Sequence, residues 1–106
     1  MKDSLDTNIT LKELQKYIGR VNTERGFDGE TPTQRMLLLT EEIGELARAI
    51  RKESGMKFSD STSRSELREE IADVQILLLG IAELTGIDIV KCVIDKDLKN
   101  QKRNWK

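Results

Sequence analysis

Histidine is absent from the sequence, which removes Ser/His/Asp and Cys/His relays, HExxH zinc sites and any histidine general base. The single cysteine, Cys92, excludes an intramolecular disulfide and a thiolate metal cage, and a reducing, cytoplasmic setting is expected for it. Aromatic residues make up only 4%, so few large anchors are available to a core. No apolar stretch is long enough to cross a bilayer: the longest near-apolar run, Ile76 to Ala82, is far short of the ~20 residues required. Residues 1–8 are polar and carry no signal-peptide-like segment. Nor is there a charge imbalance, because 18 basic residues face 19 acidic ones. A net charge of −1 gives no global attraction to a nucleic-acid polymer or a membrane surface. Chemistry, if present, falls to carboxylates, amides, hydroxyls and cations.

What is there reads as helix. With 106 residues, the chain is expected to form a single domain over 1–106, residues 1–8 being a flexible lead-in. Thr10-Leu11-Lys12-Glu13 has the form of a capping box before Leu14, Tyr17, Ile18 and Val21 at helical spacing, and Gly26 closes that segment. Thr31-Pro32-Thr33-Gln34 supplies a second cap, a first-turn proline and a helix running to about Lys52. Ser63-Arg64-Ser65-Glu66 opens a third helix that ends near Gly86, and Asp88 caps a fourth carrying Val90, Val93, Ile94 and Leu98. The polar stretch 53–62 is left as a loop, either a lid or a plain connection. The expected fold is all-α, a four-helix bundle-type domain that assembles as a dimer or a dimer of dimers. The third helix is apolar almost all round from Ile76 to Leu84, which suggests the centre of a subunit interface.

The acidic residues have a definite geometry. At about 100° per residue from Leu39, the residues Ile43, Leu46, Ala47 and Ile50 form the expected core stripe. Glu42 and Glu45 stand about 60° and 120° to one side of it, while Glu41 points away. The third helix repeats the arrangement, with Leu67, Ile71, Val74, Leu78 and Ala82 as the stripe and Glu70 and Asp73 on the flank. Packing the two helices together would gather four carboxylates. Such a cluster either takes up protons or holds a cation, and an oxygen-only ligand set suits Mg²⁺ or Mn²⁺. The plain alternative is that these spacings arise on solvated faces of a chain that is 35% charged.

At these residues the sequence resembles the MazG-like nucleotide pyrophosphohydrolases of the all-α NTP pyrophosphatase superfamily. Glu41-Glu42-Ile43-Gly44-Glu45 followed by Glu70-Ile71-Ala72-Asp73 matches the family's EExxE and ExxD signature. The Glu24-Arg25-Gly26-Phe27-Asp28 lead-in, Thr31-Pro32, Gly86-Ile87-Asp88, and Lys96, Asn100, Arg103 and Trp105 extend the likeness over residues 10–105. The resemblance implies Mg²⁺-dependent hydrolysis of a nucleoside triphosphate, NTP or dNTP, to the monophosphate and pyrophosphate, with Mn²⁺ as a substitute ion. It implies a homodimer or homotetramer and a role in clearing nucleotide pools. Position by position, Glu42, Glu45, Glu70 and Asp73 match the metal ligands, and Glu41 matches the group linked to orienting or activating the attacking water. Lys96 and Asn100 match phosphate and nucleotide contacts, with Arg103 beside them. Phe27 stands where the family often has tryptophan.

The alternatives are a phosphoribosyl-ATP pyrophosphohydrolase, with similar acidic helices, and a non-catalytic helical oligomerisation module. Among the remaining residues, Cys92 is expected to be a small core residue rather than a nucleophile. Trp105 is expected to pack, and the Lys99, Lys102 and Lys106 tail to complement the last helix's dipole.

Overall fold

Each helix starts where its cap chemistry allows. A computed structural model describes residues 5–27, 29–54 and 60–103. In α1 (Leu11–Glu24), Thr10 Oγ1 accepts from Glu13 N at 3.1 Å and the Glu13 carboxylate accepts from Thr10 N at 2.9 Å, closing the capping box. Gly26, at φ 80°, adopts the left-handed conformation that lets the chain leave the helix. Thr31 and Gln34 repeat the box at the head of α2 (Pro32–Glu53), at 2.8 and 3.1 Å. Asp88 Oδ1 accepts from Val90 N and Lys91 N to start α4 (Ile89–Gln101).

The helix α3 (Asp60–Thr85) begins earlier than the Ser63 start expected from sequence. Asp60, Ser61, Thr62 and Ser63 are all residues that cap helices well, so local chemistry does not choose among them. The connection is correspondingly shorter than 53–62, and its residues 55–59, like Trp105, lie outside the described part of the chain.

The most extensive packing is between α2 and α3; α1 lies on α3, and α4 on α1. The α2–α3 seam is antiparallel. A side chain on Gly80 would meet Arg35, Glu42 meets Glu70 and Asp73, and Lys52 pairs with Glu66, so position falls on one helix as it rises on the other. Buried in this arrangement are Ile18, Val21, Leu39, Ala49, Leu79 and Ala82, together with two polar residues, Gln15 and Arg35.

The stripes expected to form the core are only partly buried. On α2, Leu39 is buried and Leu46 half-buried, but Ile43, Ala47 and Ile50 are exposed; on α3, Ala82 is buried and Leu67 and Val74 half-buried, but Ile71 and Leu78 are exposed. Both helices are turned so that Glu42 and Glu70 on the acidic flank are half-buried at the seam and Ala49 is buried, while Glu45 and Asp73 on the same flank are exposed. The physical reason is a surplus of apolar surface: each helix is apolar on more than one side, and neither the one main partner of α2 nor the two partners of α3 cover all of it. On α4, Val93, Ile94 and Leu98 are likewise exposed, and Cys92 is exposed rather than a core residue.

Candidate metal centre on the helix seam

Rotation of the acidic flank into the seam brings three of the four expected carboxylates together. One oxygen from each of Glu42, Glu70 and Asp73 lies within 4.8 Å of the others. Glu42 and Glu70 are half-buried and Asp73 is exposed, so the group opens on one side to solvent. Two of its oxygens, Glu42 Oε2 and Glu70 Oε2, are enclosed by protein and have no hydrogen-bond partner. A buried carboxylate oxygen normally finds a donor, so two beside each other in one cluster are costly without a cation.

The electrostatics point the same way. Glu70 holds its proton above the usual carboxylate range. Loss of solvent is the main cause, followed by the negative charges of Glu42, Asp73 and Glu45. Glu45 acts on Glu70 through space but is not in the tight trio. Its carboxylate is exposed and faces Arg48 Nη1 at 3.5 Å, one turn along α2. Beyond it a polar groove of about 230 Å³ runs past Arg48, Lys52 and Glu66, and Lys52 Nζ donates to Glu66 Oε2 at 3.2 Å. Glu41 is exposed on another face of α2, as the helical wheel expected.

Carboxylate oxygens at this spacing, two of them lacking any donor, fit a hard divalent cation, whereas nothing in the trio offers the nitrogen or sulfur that zinc or copper favours. Lys96 and Asn100 are on α4, and Arg103 lies two residues beyond its end; the helix packs chiefly on α1. Asn100 is half-buried, Lys96 and Arg103 exposed. No cation of α4 is among the charges acting on Glu70.

Two polar residues that sequence reading passed over prove to be buried, Gln15 and Arg35. Arg35, 4% exposed, donates through Nη2 to Phe27 O at 2.7 Å and faces Glu30 through Nε at 3.3 Å. It shares a face of α2 with Leu39 and Glu42, and Gln15 shares one of α1 with Ile18. A polar residue interrupting an apolar column was the signal available in the sequence.

Residues 30–104 match the MazG nucleotide pyrophosphohydrolase domain. The chain is 35% identical over 96 residues to a dATP/dGTP diphosphohydrolase of Salmonella phage PMBT28, covering 91% of this chain and 28% of the phage protein. It is 29% identical over 105 residues to dCTP pyrophosphatase 1 of Rattus norvegicus, covering 94% of this chain and 62% of that one. It thus spans less than two thirds of either relative. Over 104 residues it is 32% identical to the YpjD protein of Bacillus subtilis, covering 91% of this chain and 90% of YpjD. Since the match takes in α2, α3 and α4 together with the acidic seam between them, the chain belongs to the MazG nucleotide pyrophosphohydrolase domain family.

Proposed function

We propose that this chain hydrolyses nucleoside triphosphates to the monophosphate and pyrophosphate in a Mg²⁺-dependent reaction, with Mn²⁺ as a substitute. The observation that carries the reading is the trio Glu42, Glu70 and Asp73, with two enclosed oxygens that lack any donor. Pyrophosphatases of the family depend on metal ions. The names of the phage and rat relatives favour deoxynucleoside triphosphates as substrates.

A phosphoanhydride repels an incoming hydroxide, so the site must gather positive charge against the phosphates and orient a water. A divalent ion held by Glu42, Glu70 and Asp73 would supply that charge and lower the pKa of water. Glu45, one turn from Glu42 and paired with Arg48, would be the fourth residue to hold the ion, and Arg48 would add positive charge for phosphate. Glu41 is the candidate for activating the attacking water; its exposed position supports access to solvent and not contact with the trio. Lys96, Asn100 and Arg103 contact the nucleotide, the lysine as a point charge and the asparagine through hydrogen bonds.

Two copies pair through the apolar surface that one chain leaves open. Ile43 and Ile50 of α2, Ile71 and Ile76 of α3, and Val93 and Ile94 of α4 are all exposed. The radius of gyration is 16.5 Å, against about 13 Å for a compact chain of this length. The protein acts within the cytoplasm.

A pyrophosphate-release screen over NTPs and dNTPs, with and without Mg²⁺, tests the activity. Release is expected from at least one deoxynucleotide and only with the ion; silence across the panel, or release unaffected by chelation, rejects the reading. Sedimentation at micromolar concentration tests the pairing, which a strictly monomeric species would eliminate.

A further inference from the structure

Gln15, 5% exposed, sits where three helices meet. Its Nε2 donates to Ile87 O at 2.7 Å and to Glu83 Oε1 at 3.0 Å, and its Oε1 accepts from Ile89 N at 3.0 Å. One amide from α1 thereby grips the last turn of α3, the connection after it and the first N–H of α4. That N–H is one of the groups a helix start leaves without an internal partner, so a side chain that takes it up also fixes the direction in which the helix departs.

The surroundings leave this amide little freedom. Gly86 turns the chain at φ 72°, and Ile87 N donates back to Ala82 O at 2.9 Å, which completes the end of α3. Glu83 lies over Gly19: a Cβ there would be 2.7 Å from Glu83 Oε2, so α1 and α3 are in close approach beside Gln15. The helix α4, by contrast, has Val93, Ile94 and Leu98 exposed along its length and packs on α1. Gln15 therefore fixes the first turn of α4, and packing on α1 holds the helix beyond it.

We infer that Gln15 is a positioning residue for nucleotide binding: it sets the angle of the α3–α4 elbow and through it the location of Lys96, Asn100 and Arg103. The inference rests on the proposed function, in which these three contact the nucleotide. Leverage makes the effect large. Asn100 is eleven residues beyond Ile89, about 16 Å along the helix, so a tilt of about 10° at the elbow displaces it by about 3 Å. A misplacement of even about 1 Å is enough to weaken a positioned contact severely.

The test uses the full chain, pyrophosphate release with a deoxynucleoside triphosphate, and calorimetric titration with Mg²⁺ alone. Gln15→Leu is expected to raise the nucleotide KM by about 10-fold or more, with Mg²⁺ affinity in the absence of nucleotide within about twofold of wild type. In an Asn100→Ala background the same substitution is expected to add clearly less than it does in wild type, because one of the three contacts it positions is already gone.

Should Gln15→Leu not fold, Ile89→Pro carries the test. Proline suits the first position of α4, Asp88 before it is already extended at φ −80° and ψ 110°, and the N–H that Gln15 accepts is removed, with Ile89→Ala as the control for the half-buried side chain lost with it. A KM rise of about threefold is expected for Ile89→Pro, again suppressed by Asn100→Ala. An unchanged KM in whichever variant folds, or effects that multiply fully with Asn100→Ala, overturns the inference while leaving the pyrophosphatase reading intact. If wild type releases no pyrophosphate, or Glu70→Gln releases it as wild type does, the reading itself fails and the inference falls with it.

Discussion

The seam between α2 and α3 contains charge at two levels, and the two are handled in opposite ways. At one end Arg35 is buried with an opposite charge beside it: Phe27 O accepts from its Nη2, the Glu30 carboxylate lies 3.3 Å from its Nε although that N–H makes no hydrogen bond, and Gly80 leaves the room it occupies. Two helical turns further along α2, Glu42 meets Glu70 and Asp73, charges of one sign whose enclosed oxygens have no donor. Burying a cation beside an acceptor and a carboxylate is tolerable, whereas gathering three carboxylates is not, unless protons or a divalent ion offset them. The first level reads as architecture and the second as a place kept for a ligand.

Substitution of Glu70 by Gln should break the contrast most sharply. Pyrophosphate release is expected to fall by about 100-fold or more, the scale on which one lost charge-stabilising group acts. Thermal denaturation without metal should meanwhile rise, because one of three repelling charges has gone; added Mg²⁺ should raise the melting temperature of wild type but not of the variant. Arg35→Met attacks the other level. It leaves Phe27 O and Glu30 without their partner and is expected to cost about 3 kcal/mol in denaturant unfolding, with Mg²⁺ affinity little changed.

Gly80→Ala probes the same level more gently. The added Cβ would come within 2.7 Å of Arg35 Nη1 and 3.1 Å of Asn22 Nδ2, both ends of side chains that can move, so a loss of about 1–2 kcal/mol is expected. Its equality with wild type would mean that Arg35 is not held against α3.

The smallest effect is the pH dependence. The Glu70 proton is held more tightly in the folded protein than in the unfolded chain, so folded molecules bind more protons across the interval from the ordinary glutamate value to the raised one. Stability then falls as pH rises through that interval and is recovered as pH falls through it. The melting temperature of metal-free wild type should lie below that of Glu70→Gln at about pH 8, and the gap should close as pH is lowered towards about pH 5. A gap that does not vary with pH would deny the crowding of the carboxylates.

The helix starts were legible because each is local. Thr10 with Glu13, Thr31 with Gln34, and Asp88 with Val90 and Lys91 satisfy donors within four residues of one another. The start of α3 was not, because four successive residues cap equally well and only packing chooses among them. The acids at 42, 70 and 73 could be placed on one flank from helical periodicity alone, but which flank faces a neighbour could not. Both faces of α2 and α3 are apolar, and a helical wheel records the position of a side chain without recording its partner.

Residue order by itself determined four helices, their main boundaries, the oxygen-only character of any metal site and the family's acidic signature, since all of these rest on contacts between near neighbours or on composition. Tertiary structure alone decided that the acidic flank is the seam, that Glu45 stands aside with Arg48, and that Gln15 and Arg35 are buried. Those outcomes depend on the rotation of whole helices about their axes, which is fixed by contacts between residues far apart in the chain.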